Sequence, residues 1–141
     1  MILLIYPPVA KPCEPPPGVA RLSGALGWHN VRHEVIDANL EGLLYLLDRP
    51  VSAPDTWTRR AAAHIRENLS ALRHPRTYEN IDRYKRTVSD INRMLHRQDG
   101  FEKIQVGLAN YTDASLSPVR SRDLLRASET PAANPFYPYF S

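Results

Sequence analysis

The sequence predicts an α/β fold: part of a Rossmann-like (flavodoxin-like) parallel sheet with a helical hairpin insertion. An apolar run, a helix-periodic stretch and a second short strand follow one another within the first forty residues, which is the order of a βαβ unit. Residues 53–100 then change to a polar pattern with helical period. We therefore expect a single domain over residues 1–141, with residues 53–100 as a helical insertion within it.

The βαβ unit is predicted from three local signals. Ile2–Tyr6 is a continuous apolar run, which is typical of a strand buried on both faces of a parallel sheet. Pro7 and Pro8 end it, because neither residue can donate to a strand ladder. A helix is expected from Pro17, and the segment His33–Asp37 predicts the second strand. The apolar positions of that helix are Val19, Leu22 and Leu26.

Three helical segments are predicted next. "LEGLLYLLD" is a short apolar helix with Asn39 as its candidate cap, and Pro50 lies just beyond its end. One apolar stripe follows at Trp57, Ala61, Ile65, Leu69 and Leu72, and a second at Ile81, Tyr84, Val88, Ile91 and Leu95. Tyr78 and Tyr84 are assigned to the core. The two stripes predict a helical hairpin that ends near Gly100.

The rest of the chain offers little further sheet. Alternation over residues 104–109 predicts a third strand, and residues 121–128 predict a short helix. A doubly wound sheet usually has about five strands. We therefore expect an incomplete sheet, whose unpaired edge and uncovered apolar face favour a homo-oligomer.

Composition excludes several classes of function. The net charge is only +3, and the ten Lys or Arg residues between Arg59 and Arg97 are interpreted as a solvated helix face, so no nucleic-acid partner is expected. Cys13 is the only cysteine, and the five histidines lack metal-ligand spacing, so no metal site is predicted. No segment resembles a signal peptide or a membrane span, and a cytoplasmic protein is expected.

The loop after the first strand is the principal candidate site. "IYPPVAKPCEPPPG" holds six of the thirteen prolines, and each proline removes a backbone N–H donor. Such a loop offers few N–H donors to a phosphate, but it is stiff and lies at the carboxyl end of the first strand, where open α/β sheets bind ligands. Asp37 follows the second strand. Two roles are open for it, as a hydrogen-bonding partner of a ligand or as a cap of the helix that includes Leu40.

These residues carry a resemblance to a known family. "ILLIYPPVAKPCEPPPGVARLSGAL" followed by "HEVIDANLEGLL" resembles the N-terminus of radical SAM proteins with a cobalamin-binding domain, a group that includes relatives of the anaerobic magnesium-protoporphyrin ester cyclase. It covers roughly the first 47 residues. The matching positions are Pro7, Pro8, Pro17, Gly18, Leu22, Leu26 and Asp37.

The resemblance implies that this chain is the N-terminal part of a longer enzyme and helps to shape its cofactor and substrate cleft. The implied cofactor contacts are Pro7, Pro8, Pro17, Gly18, Asp37 and Asn39. Cobalamin, S-adenosylmethionine and a 4Fe-4S cluster would belong to the longer protein, whose C-terminal radical SAM domain is the expected partner.

Two family motifs, C-x-x-x-C-x-x-C and D-x-H-x-x-G, are absent, so no catalytic centre is expected in this chain. The alternatives are a small nucleotide-binding domain, which would lack the usual G-x-G-x-x-G turn, or a structural interaction domain.

Overall fold

The computed structural model describes residues 1–7, 16–98, 103–117 and 120–130. Within these ranges the chain forms seven helices and two separate two-stranded sheets. In chain order the elements are β1 (Ile2–Tyr6), α1 (Pro17–Trp28), β2 (His33–Asp37), α2 (Ala38–Asp48), α3 (Thr56–Ala63), α4 (Ile65–Ala71), α5 (Arg76–Glu79), α6 (Ile81–His96), β3 (Ile104–Val106), β4 (Tyr111–Asp113) and α7 (Ser121–Glu129).

The predicted parallel strands are confirmed with their predicted bounds. β1 and β2 pair in parallel from Ile2 opposite His33 to Tyr6 opposite Asp37, and α1 is the crossover between them. Pro17 occupies the first turn of α1, where its missing N–H costs nothing. Asn30, in the connection from α1 to β2, has a positive φ of 54°, a conformation that asparagine tolerates better than most residues. The chain is thus an α/β protein.

The burial of β1 differs from the prediction. Ile2, Leu3 and Ile5 are 42%, 47% and 54% exposed, although an apolar run was expected to be covered on both faces. Val35 on β2 is 47% exposed, and α1 has no fully buried residue. The reason is that, in the described part of the chain, β1 and β2 have only each other as strand partners.

The core lies among the helices instead. It joins α2, α3, α6 and β3 through Leu43, Leu46, Leu47, Ala61, Ile91, Met94, Leu95 and Val106. The second predicted stripe is confirmed at its C-terminal end, since Ile91 and Leu95 on α6 are fully buried, whereas its first residue, Ile81, is 56% exposed. The amphipathic α6 therefore buries its apolar side against α2, α3 and β3.

The first arm of the predicted hairpin is interrupted. It divides at His64 into α3 and α4, and α5 adds a single turn before α6. All three short helices pack on α6. Tyr78 was wrongly assigned to the core, since it is 58% exposed. Its hydroxyl donates to the Leu72 carbonyl at 2.7 Å, and its ring lies against that of the half-buried Tyr84.

The third predicted strand forms, but not beside β1 and β2. β3 pairs antiparallel with β4, a strand that the sequence pattern did not predict. The connection between them is tight, with the Gly107 N–H donating to the Asn110 carbonyl at 2.8 Å. The predicted short helix is confirmed as α7, whereas Gly100 lies outside the described residues.

Candidate functional site

The carboxyl ends of β1 and β2 meet at one edge of the parallel pair. Tyr6 is paired with Asp37, and Pro7 follows directly. The C-terminus of α1 joins the opposite edge, where the Ile2 N–H donates to the Arg32 carbonyl. The helix therefore runs back so that Pro17 and its neighbours lie towards the carboxyl edge. Residues 8–15, which include Pro8 and Cys13, lie outside the described residues.

Asp37 caps the following helix. Its Oδ1 accepts a hydrogen bond from the Leu40 N–H at 2.9 Å, and the negative charge is favourable at the N-terminus of α2. The expectation that Asn39 is the cap is wrong, because α2 begins at Ala38 and Asn39 is already inside its first turn. Asn39 is only 3% exposed, whereas Asp37 is half-buried at the strand edge.

The first turn of α1 offers few hydrogen-bond donors. Pro16 and Pro17 have no N–H, and no side chain caps this end of the helix. Gly18 has open space where a Cβ would stand, so the described fold does not itself require glycine at that position. The start of α1 is therefore accessible and offers few hydrogen-bond donors.

A polar network fastens α3 to α6. Asp55 caps α3 by accepting from the Thr58 N–H at Oδ1 and from the Thr58 hydroxyl at Oδ2, and Oδ2 also accepts from the Arg93 guanidinium at 2.6 Å. These donors, Thr58 first, hold the pKa of the Asp55 carboxyl well below its usual range. Arg93 stacks over the Trp57 ring at 4.6 Å, and the Trp57 Nε1 donates to the buried Asp90. This network was not predicted, because its members come from α3 and α6 and meet only in the folded chain.

A cleft with basic walls lies between the α3–α4 arm and α6. Its cavity is about 300 Å³, and its polar walls include Arg60, His64, Glu67, Asn68, Arg83, Arg86 and Asp90. The basic residues among them were expected to lie on a solvated helix face. The signal that would have found the cleft is same-face spacing: positions 60, 64 and 68 recur every four residues, and positions 83, 86 and 90 lie on one side of α6.

The sequence matches no protein-family model, no curated protein and no solved structure. In residues 1–7, 16–98, 103–117 and 120–130, no group of three or more His, Cys, Asp or Glu side chains could hold a metal ion. None of the helices described is long and apolar enough to cross a membrane. The chain is therefore characterised by its α/β architecture and by two candidate surfaces, the carboxyl edge of the parallel strands and the basic cleft.

Proposed function

We propose that this chain is the N-terminal part of a cobalamin-type radical SAM enzyme, in which it helps to shape the cofactor and substrate cleft. The supporting observation is the exposure of the apolar β1–β2 pair. Parallel strands are normally covered on both faces by other parts of the protein. The side chains of β1 are apolar, as expected for such strands, but several of them remain about half-exposed here. Further strands of a Rossmann-like sheet would pair with the free edge of β1 and remove this apolar area from water.

The carboxyl edge of this pair provides one wall of the proposed cleft. Pro7, Pro17 and Gly18 supply an apolar rim in this proposal, and Asp37 and Asn39 follow the second strand. Pro8 is expected to contribute as well but lies outside the described residues. The open space at Gly18 and the scarcity of N–H donors in the first turn of α1 suit a large flat molecule such as a corrin better than a phosphate. Cobalamin, S-adenosylmethionine and the 4Fe-4S cluster belong to the longer protein in this proposal, and the chemistry to its radical SAM domain.

A partial site should bind weakly. Most of the contact area that offsets the cost of association would come from loops of the later strands, so we expect this chain alone to bind cobalamin weakly or not at all. Hydroxocobalamin is titrated into this chain and into a polypeptide extended through the remaining strands, while its visible spectrum is followed. Binding by the longer polypeptide only is the expected result.

Two outcomes would contradict the proposal. Micromolar binding by this chain alone would mean that the proline loop is sufficient, and that its role as one wall is wrong. A reading frame that stops directly after Ser141, rather than continuing to a C-x-x-x-C-x-x-C motif, would exclude the longer enzyme and favour a structural interaction domain.

A further inference from the structure

We propose that the basic cleft between the α3–α4 arm and α6 is a binding site for a small molecule that carries a phosphate group. This site is separate from the carboxyl edge of β1 and β2, and its proposal does not depend on cobalamin. It is carried by three observations: the balance of charge on its walls, a buried amide without an acceptor, and its size.

The cleft has three arginines against two carboxylates, and two of the arginines have no carboxylate partner among the described residues. Asp90 is bonded to Arg60 at 3.1 Å, and Glu67 to His64 at 3.0 Å, so each acidic wall residue already has a partner. Arg83 and Arg86 have no ion-pair partner in the described part of the chain. They lie three residues apart on α6, where like charges repel each other. A dianion between the two guanidinium groups would convert that repulsion into charge-assisted hydrogen bonds.

The opposite wall presents an unused donor. The Asn68 Nδ2 atom is buried and has no hydrogen-bond acceptor among the described residues. A buried N–H without an acceptor is unfavourable, and such groups are rare in folded proteins. Asn68 lies on α4 and faces the cleft that Arg83 and Arg86 line from α6. Because this nitrogen is closed to solvent in the free chain, the Asn68 amide must turn towards the cleft before a phosphate oxygen can supply the acceptor that it lacks.

The size of the cavity restricts the ligand. A volume of about 300 Å³ is at the lower end of the range for small-molecule pockets. It accommodates inorganic phosphate or a small phosphate monoester, and it is too small for a corrin. Arginine recognises the phosphate group through paired N–H donors, so the site should prefer a phosphate dianion to a monovalent carboxylate of similar size.

The test compares anion binding by the 141-residue chain and by charge-matched variants. Inorganic phosphate, glycerol phosphate and acetate are titrated at constant ionic strength, and the signals of the Asn68 side-chain amide are followed by NMR. We expect saturable shifts with both phosphate compounds and none with acetate. The Arg83→Gln/Arg86→Gln double variant should weaken phosphate binding by about tenfold or more, because it removes both unpaired guanidinium groups.

The matched control is Lys85→Gln/Arg73→Gln, which removes the same charge from exposed residues outside the cleft wall. It should bind phosphate like the unmodified chain. Circular dichroism checks that both double variants remain folded, as expected for exposed side chains. Asn68→Ala tests the opposite wall and should also weaken phosphate binding; it is followed through the backbone amides of α6, because it lacks the side-chain signal. An equal loss in both double variants, an acetate response equal to that of phosphate, or no saturable response would overturn the proposal.

Discussion

Asp55 connects two helices through a single carboxylate. It caps α3 by accepting from the Thr58 N–H and hydroxyl, and it anchors Arg93 of α6 at 2.6 Å. The Thr58 hydroxyl in turn accepts from the Arg93 Nε, which explains why this threonine is fully buried although it is polar. The Asp55 carboxylate thus holds the first arm of the helical segment to the second.

Asp55→Asn should destabilise the protein and change its acid unfolding. The folded state lowers the pKa of this carboxyl, so its contribution to stability is fully present above the ordinary aspartate pKa of about 4 and is lost progressively as the pH falls from there through the lower pKa of the folded state. Thermal unfolding at several pH values should show a lower Tm for the variant at pH 7, with a smaller difference near pH 3. Asp48→Asn, which breaks an exposed ion pair with Arg66, is the control and should have little effect. Equal effects of the two variants would contradict the assigned role.

Tyr111 gives a prediction at alkaline pH. Burial, together with the neighbouring Asp113 carboxylate, raises the pKa of Tyr111 to about 12. An unfolded tyrosine ionises near pH 10, so the unfolded state loses this proton first and stability falls as the pH rises from about 10 to 12. Tyr111→Phe should reduce that fall, as measured by urea unfolding across this range. An unchanged slope would show that Tyr111 ionises as a solvent-exposed tyrosine does.

At the scale of secondary structure, the elements that could be predicted are those specified by local pattern. Runs of apolar residues, a change of sequence period and prolines predicted β1, α1 and β2. The long apolar stripe at helical spacing predicted α6. β4 was missed because Tyr111–Asp113 contains no alternating aliphatic residues, whereas Ile104, Val106 and Leu108 alternate through and beyond the equally short β3. The break at His64 was missed because the apolar stripe continues across it.

The basic cleft could not be predicted for a different reason. Asn68 and Arg83 are fifteen residues apart and belong to two helices, so their meeting depends on how α4 packs on α6. The carboxyl edge of β1 and β2 was predictable, since parallel pairing places both strand ends together by geometry alone. The proposed role of its residues towards a cofactor rests on the family resemblance and remains a prediction.

The glycines of α1 provide a test at this scale. Gly18 and Gly24 both have open space at the Cβ position, and neither has a positive φ. Gly24→Ala should stabilise the chain by about 0.5–1 kcal/mol, because alanine loses less backbone entropy in a helix interior.

Gly18→Ala should leave stability near its original value but weaken cobalamin binding by the extended polypeptide, whereas Gly24→Ala should not weaken this binding. Chemical denaturation and the hydroxocobalamin titration measure the two effects, and equal binding by both variants would exclude Gly18 from the proposed contact.

At the scale of the whole molecule, the buried core does not include the parallel strands β1 and β2. The fully buried side chains join α2, α3, α6 and β3, so the helical region has the larger share of apolar packing. The β1–α1–β2 unit contributes none of these core residues and retains exposed apolar side chains on both strands. Because burial supplies most of the favourable free energy of folding, we expect this unit to open more readily than the helices.

Exposure of the parallel pair also predicts self-association. In the described part of the chain, β1 has a free edge and the exposed side chains of Leu3 and Ile5 lie on one face, and a second copy of the chain can remove both from water. We therefore expect a homodimer or larger oligomer at high protein concentration, measured by light scattering over a dilution series.

Ile5→Lys should shift the population towards monomer, because it places a charge on the exposed strand. Leu125→Lys, on an equally exposed apolar position of α7, is the control and should not. A clean monomer at high concentration, or equal dissociation by both variants, would mean that the parallel strands are not the association surface.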